Sequence, residues 1–150
     1  MTRAEVDLEL ARRMVAAALA SATAQGALVS VAVVDGGGHL VAFERMDGAE
    51  IAGPVLAPDK AYTAVAHRAA THELAPLVAP GGPLAGMQAA AGGRFVCFAG
   101  GLPLWSRGRV VGGIGVSGGA AEEDLAAAAA AAALFDAAAV ADDGAEGAAP

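Results

Sequence analysis

The segment "VVDGGGHLVAFERMDGA" (Val33–Ala49) decides how the chain folds. Two apolar runs flank Asp35, Gly36, Gly37 and Gly38. Glycine supplies the positive φ angles that a short turn demands, so the run predicts a β-hairpin rather than a phosphate cradle. Upstream, "LVSVAVVD" (28–35) is short, valine-rich and bounded by turn residues, as a strand covered on both faces would be. "HLVAFERM" (39–46) is its partner strand.

Working outward, Thr2 and Glu5 have capping-box spacing, and Val6, Leu10 and Met14 recur on one helical face. A first helix is predicted over residues 3–24. Pro58 suits the first position of a second helix, Asp59 favours its dipole, and "KAYTAVAHRAA" follows. Thr71 is placed to cap a short third helix, "HELAPLV". Residues 80–93 hold five glycines and two prolines, which predicts an irregular connection and a candidate lid. From Arg94, "RFVCFAGGLPLWSRGRVVGGIGVSGG" reads as three strands with turns at Gly100–Gly101 and "SRGR", giving a five-stranded sheet. A last helix follows Gly119, with Glu122, Glu123 and Asp124 in its first turn, and runs to about Ala139. The expected organisation is one domain over 1–139 and an unstructured tail over 140–150. This element order cannot build alternating βαβ units, so the fold class is α+β: an antiparallel sheet with helices against it in three layers.

Composition narrows the function classes. A chain of 150 residues suits one domain. Apolar residues make up 56% and aromatics 4%, so the core must come from Ala, Val and Leu in closely spaced layers. A net charge of -7 argues against a nucleic-acid partner, which would draw its affinity from clustered Lys and Arg. Cys97 is the single cysteine, so no internal disulfide forms, and its apolar neighbours predict a buried thiol. The N-terminus lacks the apolar core of a secretory signal, and the longest apolar run, Leu125–Phe135, falls short of the about 20 residues a membrane span needs. The expected location is the cytoplasm, with no membrane partner.

Several residues carry possible chemistry. Gly113, Gly115 and Gly118 in "GIGVSG" match dinucleotide-loop spacing, but no second parallel strand with a terminal acid follows. Their expected role is close approach of a strand to a helix or a ligand. Lys60, the only lysine among nine basic residues, falls in the predicted first turn of a helix, where a cation opposes the dipole. A substrate carboxylate, Asp35 or Asp47 would balance it; the alternative is an ordinary exposed lysine. His67 and His72 are about 140° apart round an ideal helix, which disfavours a two-histidine zinc site, although either alone suits axial ligation of haem iron. His39, beside the turn, is expected to be solvated. Arg45 and Asp47 share a strand face and either orient a carboxylate-bearing ligand or close the turn as an ion pair. No serine elbow, C-x-x-C or P-loop is present.

Four separated blocks, "VAVVDGGGHLVAFERMDGA", "DKAYTAVAHRAATHEL", "FAGGLPLWSRGRVVGGIGVSGG" and "EEDLAAAAA", resemble the GlcG/HbpS family, also called the haem-degrading domain family, over about Val6 to Phe135. The resemblance implies a profilin-like α/β/α fold on a five-stranded antiparallel sheet and homo-oligomers from dimers to octamers. It also implies haem binding, since some members bind haem, including the domain fused to certain cobalamin adenosyltransferases. Asp35, Arg45, Asp47, Lys60, Thr71, Gly100 and Gly101 match family motif positions.

Three functional expectations follow. The first is a homo-oligomer that binds haem or a related tetrapyrrole, with Arg45 or Lys60 pairing its propionates, His67, His72 or Thr71 near iron, and haem turnover accompanying binding. Phe43, Phe95, Phe98 and Trp105 would pack the ring if they converge. The second is a cofactor-independent isomerase, lyase or hydrolase acting on an organic acid, with Lys60 and Asp35 or Asp47 transferring protons. The third is a structural or regulatory oligomer without a ligand.

Overall fold

The computed structural model describes residues 6–147, with side chains through residue 139. The first helix, α1 (Leu8–Ala24), is capped by Asp7, whose carboxylate accepts from Leu10 N at 2.8 Å. The predicted Thr2–Glu5 capping box lies outside the described residues. Ala11, Met14, Val15, Ala18 and Ala22 form its buried face.

The glycine run does turn a hairpin between β1 (Ser30–Asp35) and β2 (Leu40–Arg45). Gly38 N donates to Asp35 O and Asp35 N to His39 O, both at 2.9 Å, with Gly38 at φ 81°. Next, α2 (Gly53–His67) starts five residues before the predicted Pro58. Pro54 occupies its first turn, where a missing N–H costs nothing, and Pro58 is accommodated inside the helix. A short α3 (Thr71–Val78) and two 3₁₀ turns (Met87–Ala89, Ala91–Gly93) lead to β3 (Gly101–Ser106) and β4 (Arg109–Ser117).

The sheet has four strands in the order β2-β1-β4-β3, each antiparallel to its neighbour, rather than the five expected. The missing strand is "RFVCFA" (94–99), whose backbone groups are claimed by side chains instead of a ladder. Val96 N donates to Thr63 Oγ1 at 3.0 Å, and Phe98 O accepts from Thr71 Oγ1 at 2.6 Å. The last helix, α4 (Ala121–Gly147), continues past the expected end at Ala139, because no proline or glycine interrupts the sequence before Gly144.

Helices α1 and α4 pack on each other and on one sheet face, where Met14, Val31, Val33, Leu104, Ile114, Val116 and Phe135 share one core. Helix α2 covers the opposite face through Ala57, Ala61 and Ala64, completing three layers. Gly113 and Gly115 point at α2. A Cβ on Gly115 would strike the Ala57 carbonyl and come within 2.7 Å of Ala61 N. Gly113 and Gly115 therefore let a helix sit against a strand, as expected, whereas Gly118 lies against the Leu28 and Val29 backbone, and the antiparallel sheet offers no dinucleotide-binding unit.

Candidate functional site

Because α2 begins at Gly53, Lys60 lies in the helix interior, not in its first turn, and its side chain is only 1% exposed. Its Nζ donates to Val116 O at 2.9 Å and to Asp124 Oδ2 at 3.2 Å. Asp124, itself 4% exposed, accepts from Gly119 N at 2.8 Å through its other oxygen. The acid that balances Lys60 is thus Asp124, at the start of α4, and not Asp35 or Asp47. Burial pulls the Lys60 amine below its ordinary value and pushes Asp124 above its own, each opposed by the partner's charge. The Phe98 ring lies 4.9 Å from Nζ. Gly100, at φ 129°, passes so close that a Cβ there would come within 2.8 Å of Nζ, and one on Gly101 would meet the Lys60 carbonyl and Thr71.

Thr71 is the first residue of α3 rather than its cap, and it is fully buried. Its hydroxyl donates to Phe98 O and accepts from Gly101 N at 2.9 Å, tying α3 to the start of β3. Thr71, Gly100, Gly101 and Lys60 therefore converge on one buried crossing of α2, β3 and α4.

The other expected residues lie apart from that crossing. Asp35 closes the hairpin: one carboxylate oxygen accepts from Gly37 N and His39 N, each at 2.9 Å. These contacts, His39 N first, hold its carboxyl below the ordinary carboxylate value. Arg45 and Asp47 are exposed and form no ion pair with each other. His39 and His72 are exposed, the former as expected. Cys97 is half-buried, and burial pushes its thiol up.

His67 has different surroundings. It meets Phe95 edge-on, with ring centroids 4.5 Å apart, and Phe95 stacks on Tyr62 at 6.1 Å. The Arg94 guanidinium lies 3.7 Å over Tyr62 and its Nε donates to Asp59 at 2.9 Å. His67 Nε2 is shut off from solvent without a hydrogen-bond partner. Phe95 alone of the four expected aromatics joins this cluster; Phe98 faces Lys60, and Phe43 and Trp105 make no ring contact with it. Among the described residues no group of three or more His, Cys, Asp or Glu is arranged to hold a metal ion. No helix among them is long and apolar enough to cross a membrane.

Asp124, Thr63 and Arg94 were not singled out as site residues from the sequence. The first-turn acids of α4 were legible as dipole partners, but nothing local tied Asp124 to a lysine 64 positions away.

Residues 6–133 match the family model described as haem degrading protein HbpS-like. The chain belongs to this family. Among its HbpS-like relatives is an uncharacterised 15.0 kDa protein of the dhaT-dhaS intergenic region of Citrobacter freundii, 40% identical over 116 residues, covering 77% of this chain and 82% of that one. The crystal structure of Klebsiella pneumoniae protein ORFY has a TM-score of 0.87 at 35% identity, covering 91% of this chain and 95% of that one. The crystal structure of a PduOC:haem complex has a TM-score of 0.84 at 38% identity, covering 87% and 94%.

Proposed function

We propose that this HbpS-like chain binds haem or a related tetrapyrrole as a homo-oligomer, with His67 as the nitrogen donor to iron. The observation that carries the reading is the His67 Nε2 atom, buried beside Phe95 and bonded to nothing. A buried imidazole nitrogen without a partner is costly unless something else satisfies it, and a neutral imidazole is a common axial ligand. The haem-bound PduOC relative supports the choice of ligand.

The residues around His67 fit such a group. Phe95 and Tyr62 supply flat apolar surface, and Arg94 supplies a cation for a propionate. Lys60, held inside by Asp124, leaves propionate pairing to Arg94, because Arg45 pairs with Ser30 beside the N-terminal end of α2, the far end from His67. When bound, haem supplies iron redox chemistry; the protein's part is to hold the ring, orient its carboxylates and exclude water. The family description supports turnover of the bound ring. Ile51, in the turn before α2, and Val55, in its first turn, are 87% and 62% exposed and support self-association.

The test is a haemin titration followed by the Soret band on protein whose oligomeric state is set by sedimentation. Saturation at one haem per chain is expected, abolished by His67→Ala and retained in His72→Ala. A flat titration, or wild-type binding by a folded His67→Ala protein, would overturn the reading.

A further inference from the structure

A concavity lies at the opposite end of α2 from Gly53, where the helix meets the β3–β4 turn. Its walls are Val65 of α2, Arg68 at the cap of that helix, Gly36 of the hairpin, and Trp105, Arg109 and Val110 of the sheet. Its construction follows from a β-bulge. The register shift after Leu104 pairs Trp105 with Val110 and Ser106 with Arg109. The bulge thereby sets the indole beside the C-terminal turn of α2, where Arg68 caps the helix in the left-handed conformation at φ 53°.

Three features of this cleft point to a ligand. Trp105, the chain's only tryptophan, is 46% exposed on it, although exposing indole to water is unfavourable. Two of only nine cations in a chain of net charge -7 line it together. Among the described residues neither Arg68 nor Arg109 has an ion pair or side-chain hydrogen bond, and no acidic side chain lines the cleft. The nearest acid in sequence, Asp35, is occupied by Gly37 N, His39 N and the His39 ring.

We infer that this cleft binds a small planar aromatic carboxylate, its ring against Trp105 and its carboxylate between Arg68 and Arg109. Guanidinium groups match a carboxylate with paired hydrogen bonds, while the indole, Val65 and Val110 favour a flat apolar body over a hydrated ion. The volume, about 270 Å³, lies below the usual range for larger organic ligands of about 300–1,000 Å³ and suits a one-ring acid rather than a porphyrin. The inference does not rest on the haem reading, because none of its residues belongs to the His67 cluster.

Benzoate is the probe, with Trp105 as the reporter through its intrinsic fluorescence and calorimetry as the second readout. Benzoate should give a saturable change. Benzamide, the same shape without the charge, and the Arg109→Gln and Arg68→Asn variants should each bind about ten-fold more weakly, as expected for a lost charge-assisted hydrogen bond. Asparagine tolerates the left-handed backbone at position 68, so that variant isolates the charge from the turn. Trp105→Leu, read by calorimetry, should also weaken binding, and His67→Ala should leave it unchanged. The proposal is overturned if benzoate does not saturate, if inorganic phosphate or benzamide binds as well as benzoate, or if the folded arginine variants bind it unchanged.

Discussion

The buried Lys60–Asp124 pair gives the sharpest stability prediction. Lys60 is 1% and Asp124 4% exposed, so neither charge is offset by water. Asp124→Ala leaves the ammonium with Val116 O as its one remaining acceptor. Removing one partner of a buried pair costs about 3–5 kcal/mol, and for a domain of this size each kcal/mol lowers Tm by about 2–4 °C. Thermal unfolding followed by circular dichroism should therefore show a fall of roughly 6–20 °C. The double variant Lys60→Met/Asp124→Asn should recover most of it: methionine matches the apolar stem, and asparagine keeps an acceptor for Gly119 N. The pH dependence has a fixed sign. Because burial depresses Lys60 below 10.5, the unfolded chain holds a proton that the native form lacks in the window beneath that value, so stability rises with pH there. Asp124 is raised above 3.8, so in the window above that value the native form holds the extra proton and stability falls as pH rises. Both slopes should vanish in the double variant. A Tm drop under about 2 °C for Asp124→Ala, or a double variant as unstable as the two single losses combined, would refute the reasoning.

Gly115→Ala should destabilise by about 1–3 kcal/mol, measured by urea unfolding, because the new methyl meets the α2 backbone and not a flexible side chain; an unchanged midpoint would mean that α2 is not seated on β4. Asp35→Ala should cost about 0.5–1 kcal/mol by losing the acceptor of Gly37 N and His39 N, discounted for exposure. Since the folded carboxyl lies below 3.8, this stabilisation is present above that value and disappears as pH falls through the folded one, so acid melts of wild type and Asp35→Asn should converge.

The local devices were the readable ones. Gly36–Gly38 announced a hairpin because a turn's φ requirement is written into single residues, and Gly113 and Gly115 announced close packing because they leave room for nothing else. "RFVCFA" carries the composition of a strand, yet Thr63 and Thr71 take its backbone groups, a choice made by side chains 33 and 27 residues away. Pro58 looked like a helix start because Pro54, four residues earlier, serves the same purpose and only packing selects between them. The catalytic pairing of Lys60 with Asp35 assumed proximity that the topology does not supply: the hairpin turn is at one end of β1, and Lys60 reaches Val116, opposite Val31 near the other. Asp47 follows β2 at that other end but is exposed, and the buried ammonium is taken by Asp124 instead.

The seating of α2 on glycine has a consequence for how this fold can acquire ligands. With backbone against backbone, there is no interlayer gallery to widen: enlarging a residue at positions 113 or 115 prises the sandwich apart instead of sculpting a hole. Any binding capacity must then be cut at the margins, where α2 overhangs the sheet and where the 80–99 stretch laps against its outer flank. Substitutions at those margins leave the interlayer contact untouched, so a binding surface there can change while the interior of this fold stays fixed.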